Sequence, residues 1–410
     1  MDTADIRKYQ GRNTRGFLIH ALFLALTLNF IDHNTVVPAM LAQAGGAAWH
    51  MGLLSAILVG GTKFMQLVFA SMVVQFKQKK GALLIGIYLR TAALIALGLF
   101  IRFLGGEAPW KVWMIIAVMT VFSFSGAFAN IAYTDIMGKV ILPERRKRLI
   151  MTKQLISSIG VILSALLVKV ILSNLGYPYN FSLLFLLAGA LLLLATSGFW
   201  MLVEPAGVVP PILSRKEKVK QFWSVIRTDR NLRWYLLLIN TTGVIISLLP
   251  FLLLYARAEG SVDGNLAGNF LLIQMAGALG ANMVFTLFSK DQRYRSLMYL
   301  FVGTSTLIPI AALVLSGASQ WYAAVFLLGG IAHTLNQIIS SGVLIEISTD
   351  ENRALYTGIS GAGSVMQVVY PIVAGILITK IGFTAVFVLS AIYVSLGWFA
   401  ARSISCFSKA

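Results

Sequence analysis

An aspartate and a histidine stand inside a long apolar segment near the start of this sequence. Within residues 16–40, Asp32 and His33 are flanked by the amides Asn29 and Asn34. At about 1.5 Å of rise per residue, a helix of this length crosses a bilayer. Ionisable and amide groups are costly in hydrocarbon unless they face protein or water. Their presence therefore indicates a functional site inside a membrane.

Asp32 is the best candidate for carrying a proton. A carboxyl group in a low-dielectric cavity is protonated more readily than one in water, and it can release the proton when the cavity changes sides. The alternative is a permanently paired carboxylate that holds this helix against a neighbour. His33 is the second candidate for proton coupling. On a continuous helix it points about 100° away from Asp32, which favours packing or hydrogen bonding instead.

Other polar side chains inside apolar segments recur at helical spacing, so members of each group share a face. His333, Asn336 and Gln337 form the strongest such face, with interhelical hydrogen bonding as the alternative to substrate contact. Lys63 either neutralises an anionic group of a substrate or pairs with Asp32. The candidates for substrate contact are Asn29, Lys63, Gln66, Asn130, Tyr133, Gln154, Asn240, Gln274, His333, Asn336, Gln337, Gln367 and Tyr370.

Three further charges are predicted to have gate or structural roles. Arg90 lies about 12 Å inside the third apolar segment, where it can anchor the helix. Asp135 can pair with Lys139 at i+4, and Glu346 stands at the end of the tenth segment.

Composition places these residues in a membrane protein. The chain has 410 residues, of which 58% are hydrophobic and 12% are charged, and its mean hydropathy is +0.82. A soluble domain carries about 25% charged residues. The sequence predicts twelve membrane spans, at approximately 16–38, 50–74, 82–104, 111–138, 150–172, 181–203, 232–255, 265–288, 296–316, 321–346, 355–378 and 383–402.

The distribution of positive charge sets the topology. Of the 33 Lys and Arg residues, 25 lie in the termini and in the loops of one side. Four lie on the other side (Arg102, Lys111, Arg257, Lys380) and four lie within spans (Lys63, Arg90, Lys153, Lys169). By the positive-inside rule, both termini are predicted to be cytoplasmic. This topology accounts for the net charge of +18 without nucleic acid as a partner.

Motifs for other function classes are missing from the sequence. The single Cys406 excludes an internal disulfide framework and a cysteine metal site. The sequence contains no Walker motif, catalytic triad pattern or metal-ligand cluster. We therefore expect neither an enzyme nor a cofactor, and transport would be driven by an ion or substrate gradient.

The spans form an internal repeat. Spans 4 and 10 each run from small residues through a polar patch into an acidic and then basic turn, and spans 1 and 7 place an Asn and a Pro at nearly equal spacing. The predicted organisation is a six-helix bundle at 1–203, a cytoplasmic linker with a short amphipathic helix at 204–231, and a second six-helix bundle at 232–410.

Two six-helix halves, a basic central loop and the basic loops FKQKK and SKDQRYR after spans 2 and 8 resemble the major facilitator superfamily, in particular its divergent bacterial members. The resemblance implies alternating access around a midplane cavity. In this family, spans 1, 4, 7 and 10 line that cavity, with contributions from spans 2, 5, 8 and 11.

The first hypothesis is a proton-coupled secondary transporter of the bacterial inner membrane that moves a small polar, anionic organic solute. It would act as a monomer in the bilayer, and sodium is an alternative coupling ion. Efflux of drugs or amphiphiles is the nearest alternative, and Asp32 lying free in a cavity lined by Phe and Met would support it. A lipid flippase and a receptor or scaffold that transports nothing are further alternatives.

Overall fold

The computed structural model describes residues 3–73, 75–103, 109–206, 215–259, 266–288, 294–316, 321–348 and 353–405. A 3-10 turn at Asn29–Ile31 follows the first helix, and a π-helical turn at Ala56–Gly61 joins the third to the fourth. The first eight helices are α1 (Thr3–Leu28), α2 (Val36–Gln43), α3 (Ala48–Ser55), α4 (Thr62–Val73), α5 (Lys80–Phe103), α6 (Pro109–Val140), α7 (Pro143–Asn174) and α8 (Tyr179–Trp200).

The second half of the chain begins with the short helix predicted within the linker. The helices are α9 (Arg215–Thr228), α10 (Arg230–Thr242), α11 (Val244–Ala258), α12 (Leu266–Phe288), α13 (Tyr294–Val314), α14 (Ala323–Ile347), α15 (Arg353–Gly363), α16 (Met366–Ser395) and α17 (Gly397–Ser403). Asp229 caps α10, because its Oδ1 accepts a hydrogen bond of 2.9 Å from the backbone N–H of Leu232.

The helices group into two compact units. The first unit contains Met1–Gly46 and Gly61–Pro211, and the second contains Ala47–Gly60 and Ile212–Ala410. The first part of the predicted second span, α3, therefore belongs to the second unit, where it packs on α16. A Cβ on Gly52 of α3 would lie 2.1 Å from the carbonyl oxygen of Pro371, so these two backbones touch.

Within the first unit, α1 packs on α7 and α8, and α5 packs on α6 and α8. A Cβ on Gly16 would lie 2.4 Å from the carbonyl oxygen of Gly198, so α1 and α8 are in direct backbone contact. Such contacts at small residues are how helices associate in lipid, where apolar side chains gain little from leaving the solvent.

In the described part of the chain, ten helical stretches are long and apolar enough to cross a membrane. The last, Leu355–Ser403, has 49 residues, and Gly382 interrupts it with a φ of +81°, a conformation that favours glycine. It therefore corresponds to predicted spans 11 and 12. The helical run at 48–73 is the predicted second span. The structure thus accounts for all twelve predicted spans.

Candidate functional site

Asp32 lies at a break in the first span. The sequence predicts one continuous helix here, and that prediction is wrong, because residues 32–35 form a turn between the 3-10 segment and α2. The Oδ1 atom of Asp32 accepts hydrogen bonds from the backbone N–H groups of Asn34 (3.0 Å) and Thr35 (2.8 Å) and from the Thr35 hydroxyl (2.8 Å). The carboxylate therefore satisfies backbone donors that the break leaves without helical partners.

This turn changes the environment expected for Asp32 and His33. Asp32 is 9% exposed, and His33 is half-buried in the same turn. The helical offset of 100° between them does not apply, since neither residue is helical. Their roles in proton coupling stay predictions.

Asn29 ties the first span to the fifth span of its unit. It is buried, and its Nδ2 donates to the carbonyl oxygen of Val161 (2.6 Å) and to the hydroxyl of Ser164 (2.9 Å) on α7. An amide with two partners on a neighbouring helix holds that pair of helices in register.

Asn240 makes the matching link in the second unit, between spans 7 and 11. Its Nδ2 donates to the carbonyl oxygen of Gly363 (2.7 Å), and its Oδ1 accepts from the backbone N–H of Met366 (2.9 Å). These two backbone groups flank the break between α15 and α16. The repeat seen in the sequence thus has a structural counterpart, because in each half an Asn of the first span forms hydrogen bonds with the fifth span.

We expect Asn240→Leu to lower the thermal unfolding midpoint more than Asn29→Leu. The first change leaves one N–H and one C=O at a helix break without partners, at about 1–3 kcal/mol for each group. Asn29→Leu removes one hydrogen-bond donor from the Val161 carbonyl, but this carbonyl still accepts from the Ser164 hydroxyl at 3.1 Å. Unfolding of the purified protein in detergent measures both, with Asn130→Leu at an exposed amide as the control. Equal midpoints for the two variants would contradict this interpretation.

A cavity lies inside the first unit, between α1, α6 and α7. Its volume is about 240 Å³. Ala21, Leu24, Ala25 and Leu28 of α1 form its apolar wall. The polar lining comes from His20, Tyr133, Lys153 and Ser157.

Lys153 and Tyr133 are paired at the polar end of this cavity. The Lys153 ammonium donates a hydrogen bond to the Tyr133 hydroxyl, and its Nζ lies 4.8 Å from the centroid of that ring. Because the Tyr133 oxygen accepts this bond, its own proton is available to another acceptor. The pair therefore presents donors to whatever occupies the cavity.

Aromatic rings pack around His20 and fix its position. The rings of His20 and Phe199 have centroids 4.0 Å apart, and Phe17 meets Tyr133 edge-on at 5.3 Å. His20 is 7% exposed, and its Nδ1 has no hydrogen-bond partner among the described residues. His20 also interacts with the backbone of Ala195, so ring packing and hydrogen bonding together hold it in place.

Arg90 adds a second cation to the interior of this unit. Its guanidinium lies 4.4 Å from the centroid of the Phe122 ring, a cation–π contact, and it is close enough to His20 to interact with it electrostatically, as is Lys153. Within the described ranges, no carboxylate forms an ion pair with Arg90 or Lys153. Arg90 and Lys153 are therefore half-buried cations without an acidic ion-pair partner among the described residues.

Two acids of this unit, Asp135 and Glu204, are engaged elsewhere. Asp135 pairs with Lys139 (2.6 Å), as its i+4 spacing predicts, and also with Lys79 (2.8 Å). Glu204 lies 3.4 Å from Lys139 and accepts hydrogen bonds of 2.7–2.9 Å from the backbone N–H groups of Lys79 and Lys80. Glu204 therefore caps the start of α5 from a distant part of the chain.

The remaining predicted residues of the first unit are scattered. Lys63 and Gln66 lie on α4, and both are half-buried. In the described part of the chain, no ion pair joins Lys63 to Asp32. Asn130 is exposed on α6, and the side chain of Gln154 lies outside the described residues.

In the second unit, the predicted polar face on α14 is present. Gln337 Nε2 lies 3.0 Å from His333 Nε2, and the Ser340 hydroxyl donates to Asn336 Oδ1 at 3.5 Å. Glu346 is half-buried near the end of this helix.

Three further predicted residues of this unit are deeply placed. Gln274 and Gln367 are 2% and 3% exposed, and each has a buried Oε1 without a hydrogen-bond partner in the described ranges. The Tyr370 hydroxyl lies 2.5 Å from the Ser390 hydroxyl. Tyr370 thus has a hydrogen-bond partner, and both glutamine oxygens are enclosed by protein.

Sequence reasoning misses His20 and does not select Lys153 as a site residue. Lys153 is one of four cations within predicted spans, which is a usable signal. His20 gives a weaker signal, because an isolated histidine in an apolar helix is most often a residue of the packed core.

The helical fold and its polar interior define a multi-pass membrane transporter. The sequence profile of the Major Facilitator Superfamily matches residues 22–340, and the chain belongs to that family. The predicted family and fold class, an all-α membrane protein of two six-helix bundles, are confirmed. A comparison with curated protein sequences found no significant match.

Several solved structures share the fold at low sequence identity. One is a bacterial homolog of the human lysosomal transporter Spinster, inward-facing and unoccupied, with 12% identity, a TM-score of 0.66, and coverage of 97% of this chain and 99% of that chain. The nucleoside transporter NupG has 13% identity, a TM-score of 0.66, and coverage of 96% and 98%. A POT family transporter in complex with 5-aminolevulinic acid has 14% identity, a TM-score of 0.69, and coverage of 93% and 94%.

Proposed function

We propose that the protein is a proton-coupled secondary transporter that moves a small anionic organic solute by alternating access. The observation that carries this proposal is the positive charge inside the first unit. Lys153 and Arg90 have no acidic partner in the described part of the chain, and Lys153 lines a cavity. Because an unpaired buried charge is costly, an anion that enters this region is favoured.

Asp32 is the proposed proton carrier. Its Oδ1 holds the turn, whereas no described residue forms a hydrogen bond with its Oδ2. A proton on Oδ2 neutralises the carboxylate and weakens the charge-assisted bonds at Oδ1. α1 forms a wall of the cavity and leads through the 3-10 segment into this turn, which supports coupling between protonation and the solute site.

The proposed setting is the inner membrane of a bacterium, with the protein acting as a monomer. The excess of Lys and Arg on one side supports cytoplasmic termini. Sodium in place of the proton is the alternative coupling ion.

Proton movement in proteoliposomes tests the proposal. Pools of anionic, neutral and cationic organic solutes are added to vesicles that contain a pH-sensitive dye, in sodium-free buffer. We expect the anionic pool alone to change the internal pH. Vesicles without protein are the control, because protonated organic acids cross bilayers unaided.

Two results would overturn parts of this proposal. A pH change with the neutral or cationic pool alone would exclude an anionic substrate. Anion uptake that requires added sodium and moves no protons would show that sodium, and not the proton, is the coupling ion.

A further inference from the structure

The cavity of the first unit has the chemistry of a small and specific anion site. Its polar end presents the Lys153 ammonium and the Tyr133 hydroxyl, and both are hydrogen-bond donors. None of its lining residues is Asp or Glu. A carboxylate fits this end because it accepts two hydrogen bonds and carries the opposite charge.

The wall formed by α1 is apolar. Ala21, Leu24, Ala25 and Leu28 offer no hydrogen bond from their side chains. A polar group of the solute facing this wall would lose its water without gaining a partner. The body of the solute should therefore be hydrocarbon.

The same lining excludes an amino group. An ammonium in this cavity would lie beside Lys153, with no carboxylate among the lining residues to compensate it. Like charges in a region of low dielectric repel strongly. Amino acids should therefore be rejected, although they carry a carboxylate.

The size of the cavity sets the scale of the solute. About 240 Å³ lies just below the roughly 300–1,000 Å³ of pockets that hold drug-sized ligands, which indicates a smaller solute. A short-chain acid fits this space.

We propose that the cavity between α1, α6 and α7 binds a small monocarboxylate with an apolar body and no amino group, through Lys153 and Tyr133. This inference rests on the proposed function and narrows its substrate class. The Ser157 side chain adds a hydroxyl to the lining beside this pair.

Four compounds of equal chain length test the proposal: hexanoate, 2-aminohexanoate, hexanamide and hexylamine. The readout is the shift in the thermal unfolding midpoint of the purified protein in detergent, because a ligand that binds the folded state raises it. We expect hexanoate to bind at least about tenfold more tightly than each of the other three, as befits a charge-assisted contact. Equal binding of 2-aminohexanoate or hexanamide would overturn the proposal.

Two substitutions on the same helix localise the site. Lys153→Gln keeps a hydrogen-bond donor near Tyr133 but removes the charge, and should weaken hexanoate binding about 10- to 100-fold. Lys169→Gln removes an exposed charge from α7 and should leave binding unchanged. Tyr133→Phe is the second probe of the site if Lys153→Gln does not fold. Unchanged binding in the site variant that folds would overturn the assignment.

The proteoliposome assay separates this inference from the proposed function. If hexanoate does not bind but other anions move protons, the inference fails and the proposed function stands. If hexanoate binds but no anion moves protons, the proposed proton coupling fails and the carboxylate site stands.

Discussion

Replacing Asp32 by asparagine is expected to abolish solute-driven proton movement while the protein stays folded. The amide oxygen of asparagine can take the place of Oδ1, which accepts from Asn34 and Thr35. The amide cannot bind and release a proton near neutral pH. Proton flux in proteoliposomes should therefore fall to the level of vesicles without protein.

Two further variants distinguish the role of Asp32 as a proton carrier from its role in stabilising the turn. Asp32→Ala removes the acceptor and leaves two buried N–H groups without partners, at about 1–3 kcal/mol each, so it should lose stability as well as coupling. Thr35→Val removes only the hydroxyl bond to Oδ1 and should keep proton movement. Proton movement that survives in Asp32→Asn would make this carboxylate a structural cap and end its assignment as the carrier.

The helices and the family could be predicted from the sequence because long apolar segments and loop charges are local signals. The breaks within the spans could not be predicted in this way. The turn at Asp32 lies in a segment whose hydropathy is that of one helix, and the break after Gly363 is stabilised by Asn240, which is 123 residues away. A helix break is stabilised when a side chain forms hydrogen bonds with the backbone groups that lose their helical partners. That side chain can come from a distant part of the chain, which the local sequence pattern does not contain.

The candidate site could be predicted in part for the same reason. Tyr133 stands out in the sequence as a polar residue within a span, whereas its partner Lys153 stands out only as a charge. Lys153 is a candidate site residue because none of the described acids forms an ion pair with it. This absence depends on how the helices pack. Asn29 and Asn240 use their amides to join helices, and their predicted substrate contacts stay predictions.

Charge pairing in the first unit explains why Lys153 and Arg90 have no acidic ion-pair partner among the described residues. Asp135 and Glu204 are held by Lys79 and Lys139, so neither is among the ion-pair partners of Lys153 or Arg90 in the described residues. Deleting the Glu204 side chain should therefore affect stability and leave the proposed site chemically unchanged.

Glu204→Ala is expected to destabilise the protein strongly. The Glu204 side chain is 1% exposed, and its two oxygens accept from the backbone N–H groups of Lys79 and Lys80 and from the Lys139 ammonium. Its removal leaves the first turn of α5 uncapped and Lys139 with Asp135 alone. Breaking a buried charged network of this kind costs about 3–5 kcal/mol. The thermal midpoint of the purified protein should fall by roughly 5 °C.

Two controls test whether the cap causes this loss. Glu204→Gln keeps an acceptor oxygen for the backbone of α5 and should recover part of the lost stability. Glu259→Ala, at an exposed acid, should leave the midpoint nearly unchanged. Hexanoate binding to Glu204→Ala below its lowered midpoint should match that of the natural protein, because Lys153 and Tyr133 keep their contacts. A midpoint equal to that of Glu259→Ala would show that the hydrogen bonds to Lys79 and Lys80 do not stabilise the unit.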